Sequence, residues 1–224
     1  MKKIHRNAFS LTELLITVAI IGILVALVLP VLRNTKEKAS IPGCLANLRA
    51  LGVGVNAFAM DHNGQLPIDE MEVPPGSGKR VTFWGALGNY VTPKFGDISN
   101  DPKLLKKSPY VCPGVPESDI KPYQYTYAIN KQFNARLYPD KHQFSIFTLK
   151  NTHKLIFLID SYSSHLFYWD QTMKIRDWTR AAYRHGGIPN VLYVDGHVSP
   201  FPGPLKGLND APEYLEHYVP RFND

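Results

Sequence analysis

Nineteen consecutive residues from Leu14 to Leu32, LLITVAIIGILVALVLPVL, carry no charge. At about 1.5 Å of helical rise each they nearly match a hydrocarbon core of roughly 30 Å, so the pattern predicts a helix able to span a bilayer. Lys2, Lys3 and Arg6 precede the run. Basic flanks tend to stay in the cytoplasm, which sends everything after Arg33 to the other side. Further on, apolar residues at 45, 48, 51, 55 and 58 recur at helical spacing and predict a second helical stretch over 44–58. Pro42-Gly43 is expected to interrupt or bend the path between the two stretches, and Gly52 and Gly54 weaken the second. After Asp61-His62-Asn63-Gly64-Gln65-Leu66-Pro67 the chain turns rich in Pro, Gly, Tyr and short apolar runs, a texture of loops and small strands rather than helices. Branched and aromatic residues mark strands over 154–160 and 190–194. The second strand ends in the turn signal Asp195-Gly196, with 197–199 as its return strand. The fold class is α+β: a long N-terminal helix, transmembrane and then extracytoplasmic, packed on a small antiparallel β-sheet head without internal repeats.

Composition sharpens this picture in two places. The 224 residues, 44% hydrophobic and 20% charged, suffice for one buried core plus an appendage. The net charge of +6 includes Lys2, Lys3 and Arg6, and without them only about +3 remains, with no Lys/Arg-dense run elsewhere. That is an ordinary solvated surface, and no nucleic-acid partner is expected. The two cysteines, Cys44 and Cys112, fit either one disulfide in an oxidising compartment or two unpaired thiols, and their parity does not decide.

A cleaved secretory signal would have an apolar region of roughly 7–15 residues and a small-x-small site after it. Here Pro-Val-Leu-Arg-Asn-Thr follows instead. An uncleaved signal anchor explains the basic residues and the apolar span but not Glu13. A carboxylate costs about 2.5–3.5 kcal/mol at mid-membrane and less near an interface, so Glu13 calls for a partner. The segment Ala8-Phe9-Ser10-Leu11-Thr12-Glu13-Leu14-Leu15 resembles the type IV prepilin motif: a small residue, usually Gly, then Phe, then Glu four residues later. The resemblance implies that a prepilin peptidase cuts between Ala8 and Phe9 and that the new amino terminus of Phe9 is methylated. It also implies that Glu13 pairs with a Phe amino terminus during assembly and so sets subunit register. Pro30 matches the helix-kinking proline of that family. The implied organisation is a leader over 1–8, a transmembrane and filament-core helix over 9–32, an extracytoplasmic helical segment over 33–62 and a head over 63–224.

His185 is followed by nine residues and then Asp195-Gly196. This resembles the C-terminal His-x(9)-Asp-Gly signature of prepilin-like proteins of the type II secretion G-like kind. Cys-x-x-Asn-Leu-Arg from Cys44, Tyr110-Val-Cys112-Pro113 and Leu158-Ile-Asp160-Ser161 are further local matches in the same order. Asp195-Gly196 has a sufficient explanation as a tight turn, and Gly186-Gly187 as a loop with unusual backbone angles. His185 and His197 flank that hairpin. With Asp160 and Asp195 they offer a set of imidazole and carboxylate ligands suited to zinc or another divalent ion, or else a hydrogen-bonded structural network. Related pseudopilins bind calcium in the head, but calcium prefers oxygen and the histidines argue against a simple transfer. Asp61-x-Asn63-Gly64 lacks the later acidic ligand of a calcium loop and reads as a turn ending the helix. Ser161, Ser163, Ser164 and His165 beside Asp160 have the residue types of a hydrolase triad, yet no Gly-x-Ser-x-Gly is present and the chain is not read as an enzyme. The three tryptophans, Trp84, Trp169 and Trp178, read as core or interface packing.

The function implied is a structural subunit of a type IV pilus-like or type II secretion pseudopilus filament. It would be processed by prepilin peptidase at the plasma membrane and assembled with other subunits by dedicated machinery. The alternative is a membrane-tethered extracytoplasmic binding protein that never polymerises and holds a metal or ligand near His185 and Asp195. In either case Cys44 and Cys112 lie outside the cytoplasm, where a mutual disulfide would tie the base of the helix to the head.

Overall fold

The computed structural model describes residues 10–68, 71–72, 77–78, 80–92, 94–130, 133, 144–161, 183–185, 188–201 and 221–222. One helix, α1 (Leu11–Asp61), runs for 51 residues. Its first part, Leu11–Leu29, is long and apolar enough to cross a membrane, and none of it is buried inside the molecule. Its last part is the spine of the head: Cys44, Leu48, Leu51, Val55 and Phe58 lie on one buried face. That 4-3-4-3 spacing is the periodicity by which a helix places one stripe against a core.

The helix is unbroken through Pro30 and Pro42-Gly43, which corrects the expected interruption at the second site. A proline removes one backbone donor and crowds the preceding turn. Here the burial of Cys44, Leu48 and Leu51 on the same stripe holds the helical path. Gly52 and Gly54 likewise serve contact rather than weakness. A Cβ on Gly52 would stand 2.8 Å from Leu192 Cδ1, and one on Gly54 2.3 Å from Val91 Cγ2. The helix ends as read from the sequence, with Asn63 and Gly64 at positive φ and Gly64 N donating to Ala59 O at 2.7 Å.

The head carries a four-stranded antiparallel sheet in the order β3 (Tyr127–Ile129), β5 (Ile156–Asp160), β6 (Asn190–Tyr193), β7 (Val198–Pro200). Three predicted strands are thereby in place, including the return strand after Asp195-Gly196. Among the described residues two small pairs add to it: β1 (Met71–Glu72) with β2 (Arg80–Val81), and β4 (Leu149–Lys150) with β8 (Arg221–Phe222). Every residue of β5 and β6 is buried. Leu158 sits opposite Leu192, and the Gly52–Leu192 approach fixes which face α1 covers.

The middle of the chain departs from the expected loops. Three short helices stand there, α2 (Phe83–Val91), α3 (Phe95–Asn100) and α4 (Pro102–Lys106). Helix α2 is capped by Thr82, whose hydroxyl accepts from Gly85 N at 3.2 Å, and it buries Phe83, Trp84, Ala86, Leu87 and Gly88. Two glycines and three aromatics in nine residues read poorly as a helix on propensity, and packing against α1 overrides that. Trp84, Phe95, Tyr110 and Tyr125 form an aromatic cluster beside it, with Trp84 and Tyr125 centroids 4.7 Å apart. Trp84 is therefore core, as read from the sequence; Trp169 and Trp178 lie outside the described residues.

Candidate functional site

Two places in the chain concentrate chemistry. The first is the start of α1. Ser10 is its N-cap, Glu13 N donates to Ser10 Oγ at 3.2 Å, and Ser10 N donates to Glu13 Oε2 at 2.9 Å. This reciprocal capping box satisfies two of the backbone donors that a helix start leaves open. Glu13 thus has a partner within its own chain, one residue from Phe9. The spacing Ser-x-x-Glu carried this signal in the sequence and went unread there. Ala8 and Phe9, the expected processing site, lie outside the described residues, as do Ser163, Ser164 and His165.

The second place is a buried cluster where α1 meets the sheet. Alternation along β5 sends Leu158 and Asp160 to the face covered by α1, and the register puts Tyr127 of β3 opposite Asp160. Cys44, one turn before Leu48 on the buried stripe, points at this spot, with its thiol 3.6 Å from Asp160 Oδ2. Tyr127 Oη donates to Cys44 Sγ at 3.5 Å. Asn47, three residues on and so on the same side of α1, donates from Nδ2 to Val111 O at 2.8 Å and pins the loop that carries Cys112. Cys112 N donates to Thr126 Oγ1 at 2.6 Å, which anchors that loop to the entry of β3. Gly43 matters here as well, because a Cβ there would meet Pro113 Cγ at 2.9 Å.

A 3-10 turn, Tyr183–His185, brings in the last two members. His185 Nε2 lies 3.0 Å from Asp160 Oδ2 and 3.3 Å from Cys112 Sγ, while its Nδ1 faces Ser40 Oγ at 3.2 Å. Arg184 Nη2 donates to Asp160 Oδ1 at 2.5 Å and to the Ser161 carbonyl at 2.5 Å. The cluster's charges act on one another. The Cys44 thiol is pushed up, first by its hydrogen bond with Cys112, then by burial and by Asp160. The Cys112 thiol is drawn down to about 6, chiefly through its bond with Cys44 and further by His185, against the opposing effect of burial. Burial pulls His185 down, but its bonds with Asp160 and Cys112 outweigh that and raise it to about 9. Tyr127 is held well above its usual range, by burial first. The arrangement favours a Cys112 thiolate beside a protonated imidazole.

The four residues Asp160, His185, Asp195 and His197 do not share one site. Asp160 and His185 meet at the C-terminal end of β5. Asp195 and His197 pair with each other at 2.6 Å beyond the far end of β6, where Val194 N bonds Leu155 O. That is roughly 15 Å along the strands from Asp160. Gly196, at φ +91°, makes the turn between β6 and β7, and Gly196 N donates to Tyr193 O. Cys44 and Cys112 take the vacated positions beside Asp160 and His185, and both are free thiols. Their 68-residue separation gives no local signal of this, whereas the adjacency of Arg184 to His185 was visible but unused.

Comparison with known proteins bears on the N-terminal part. The family model described as "Prokaryotic N-terminal methylation motif" matches residues 4–29. Competence protein ComGC of Halalkalibacterium halodurans is 36% identical over 90 residues, covering 35% of this chain and 85% of that protein. Type II secretion system core protein G of Aeromonas hydrophila is 33% identical over 63 residues, 28% of this chain and 44% of its own length. No solved structure matches the chain. The methylation motif, the apolar helix continued into an α+β head and the ComGC relative, matched over most of its length, together place this chain in the family of type IV pilin-like proteins.

Proposed function

We propose that the chain is a prepilin-type structural subunit. Cleavage between Ala8 and Phe9 by a prepilin peptidase frees the Phe9 amino group, which is then methylated by transfer from a methyl donor, and Leu11–Leu29 holds the subunit in the plasma membrane with its head outside the cytoplasm. Machinery of the competence or type II secretion kind, for which the two relatives are named, then assembles it with other subunits into a filament. The observation that carries this reading is a 19-residue apolar helical segment with none of its surface buried by its own fold, continuous with the helical stretch that packs into the head. Such a surface needs lipid or the apolar helices of neighbouring subunits, and a filament core supplies the second once the first is left.

Glu13 separates filament assembly from plain anchoring. In the capping box its carboxylate reaches a backbone amide, a task that glutamine also performs. Pairing with a neighbour's amino terminus needs the charge. Glu13→Gln is therefore expected to insert into the membrane, keep a folded head and lose assembly, measured as intersubunit crosslinking in cells that carry the assembly machinery. Unchanged crosslinking in Glu13→Gln, beside loss in Ser10→Ala, would reduce Glu13 to a helix cap, and a wild-type chain that gives no intersubunit crosslinks in the same cells would favour the tethered binding protein.

A further inference from the structure

We propose that Cys44, Cys112, Asp160 and His185 form a structural zinc site that clamps the head to the central helix. One donor atom from each residue, Cys44 Sγ, Cys112 Sγ, Asp160 Oδ2 and His185 Nε2, lies within 4.8 Å of all the others. Zinc bonds of about 2.3 Å to sulfur and about 2.0–2.2 Å to nitrogen and oxygen give tetrahedral ligand-to-ligand edges of roughly 3.3–3.8 Å. The edges here are 3.6 Å from Cys44 to Asp160, 3.3 Å from Cys112 to His185 and 3.0 Å from His185 to Asp160. The imidazole and carboxylate side chains are 1% and 0% exposed, and both cysteines are 0% exposed.

Three of the four ligands have a further partner of their own. Ser40 Oγ faces His185 Nδ1, Arg184 bonds Asp160 Oδ1, and Tyr127 Oη donates to Cys44 Sγ. Such outer contacts orient metal ligands and fix the histidine tautomer. Two thiolates and a carboxylate are balanced by a dication and the Arg184 guanidinium, so the buried group is neutral as a whole. A disulfide would use the two sulfurs alone and leaves the convergence of the imidazole and carboxylate on the same point unexplained. All four positions are filled by protein, as in structural rather than catalytic zinc centres. The ligands come from α1, the 107–116 loop, β5 and the 3-10 turn, four segments far apart in sequence, so the metal would act as a cross-link between the helix and the sheet.

The test uses the full untagged chain, extracted from membranes in detergent and exchanged into metal-free buffer. Elemental analysis is expected to find about one zinc per chain, with both thiols blocked to maleimide until a chelator is added. The wild-type chain reloaded with cobalt(II) is expected to show thiolate charge-transfer and tetrahedral ligand-field bands, a readout that needs no variant to fold. Asp160→Asn is expected to lower zinc affinity at least tenfold, and His197→Ala to leave it unchanged. A chain two hydrogens lighter than its sequence, with no metal and no reactive thiol, would show a Cys44–Cys112 disulfide and overturn the proposal. Thiols that react at once in folded protein that carries no metal as isolated, before any chelator is added, would overturn it equally.

Discussion

At the scale of single residues, the decisive contrast is between two carboxylate–histidine pairs that look alike in the sequence. Asp160 is sealed from solvent and shared between Arg184 and His185, whereas Asp195 and His197 meet on the surface. Removing one partner of a buried ion pair strands the other charge, at a cost of about 3–5 kcal/mol, and an exposed pair contributes about 0–1 kcal/mol. Arg184→Met is accordingly expected to lower the urea midpoint of the head severely, and His197→Ala to leave it nearly unchanged. Equal effects would mean that Asp160 is less dependent on Arg184 than the 2.5 Å contact indicates. The sequence exposed the residue types of this chemistry without their grouping. A turn and a strand pattern placed His185, Asp195 and His197 near one hairpin, but the strand length that separates the two pairs, and the arrival of Cys44 and Cys112 from other elements, are properties of the assembled sheet.

At the scale of elements, α1 was legible where its pattern was regular and misread where proline and glycine were weighed alone. The stripe at 48, 51, 55 and 58 predicted the buried face, with Cys44 rather than Leu45 at its start. Pro42-Gly43 suggested a break because local chemistry disfavours a helix there, and the burial of the stripe that begins at Cys44, just after the pair, prevailed. Gly54 is where α1 receives α2. Gly54→Val would drive methyl groups into Val91 and Leu87, and overpacking of this kind costs about 1–3 kcal/mol. Gly22, with nothing within 4 Å of its would-be Cβ, is the control: Gly22→Val is expected to leave head stability unchanged. Chemical denaturation of both variants in the same detergent measures the difference. Helix α2 itself was hidden from propensity because its stability comes from Phe83, Trp84 and Leu87 in the core, contacts made with residues distant in sequence.

At the scale of the whole molecule, the division of labour lies along one helix. Leu11–Leu29 contributes nothing to the core, and the buried stripe begins at Cys44. A chain of residues 34–224 is therefore expected to be water-soluble and to unfold at the same denaturant midpoint as the intact protein in detergent; aggregation or a large loss of stability would show that the apolar segment supports the head. The α+β class, the apolar span and the order of the late strands were readable from hydrophobic periodicity, because each depends on local pattern. The membrane role follows from the same exposed segment, together with the methylation motif over residues 4–29. The most direct test is the mass of the mature N terminus of protein extracted from membranes that contain a prepilin peptidase. The expected result is a chain that begins at Phe9 and carries one N-methyl group; a chain that still begins at Met1 under those conditions would contradict processing as a prepilin and with it the assignment as a filament subunit.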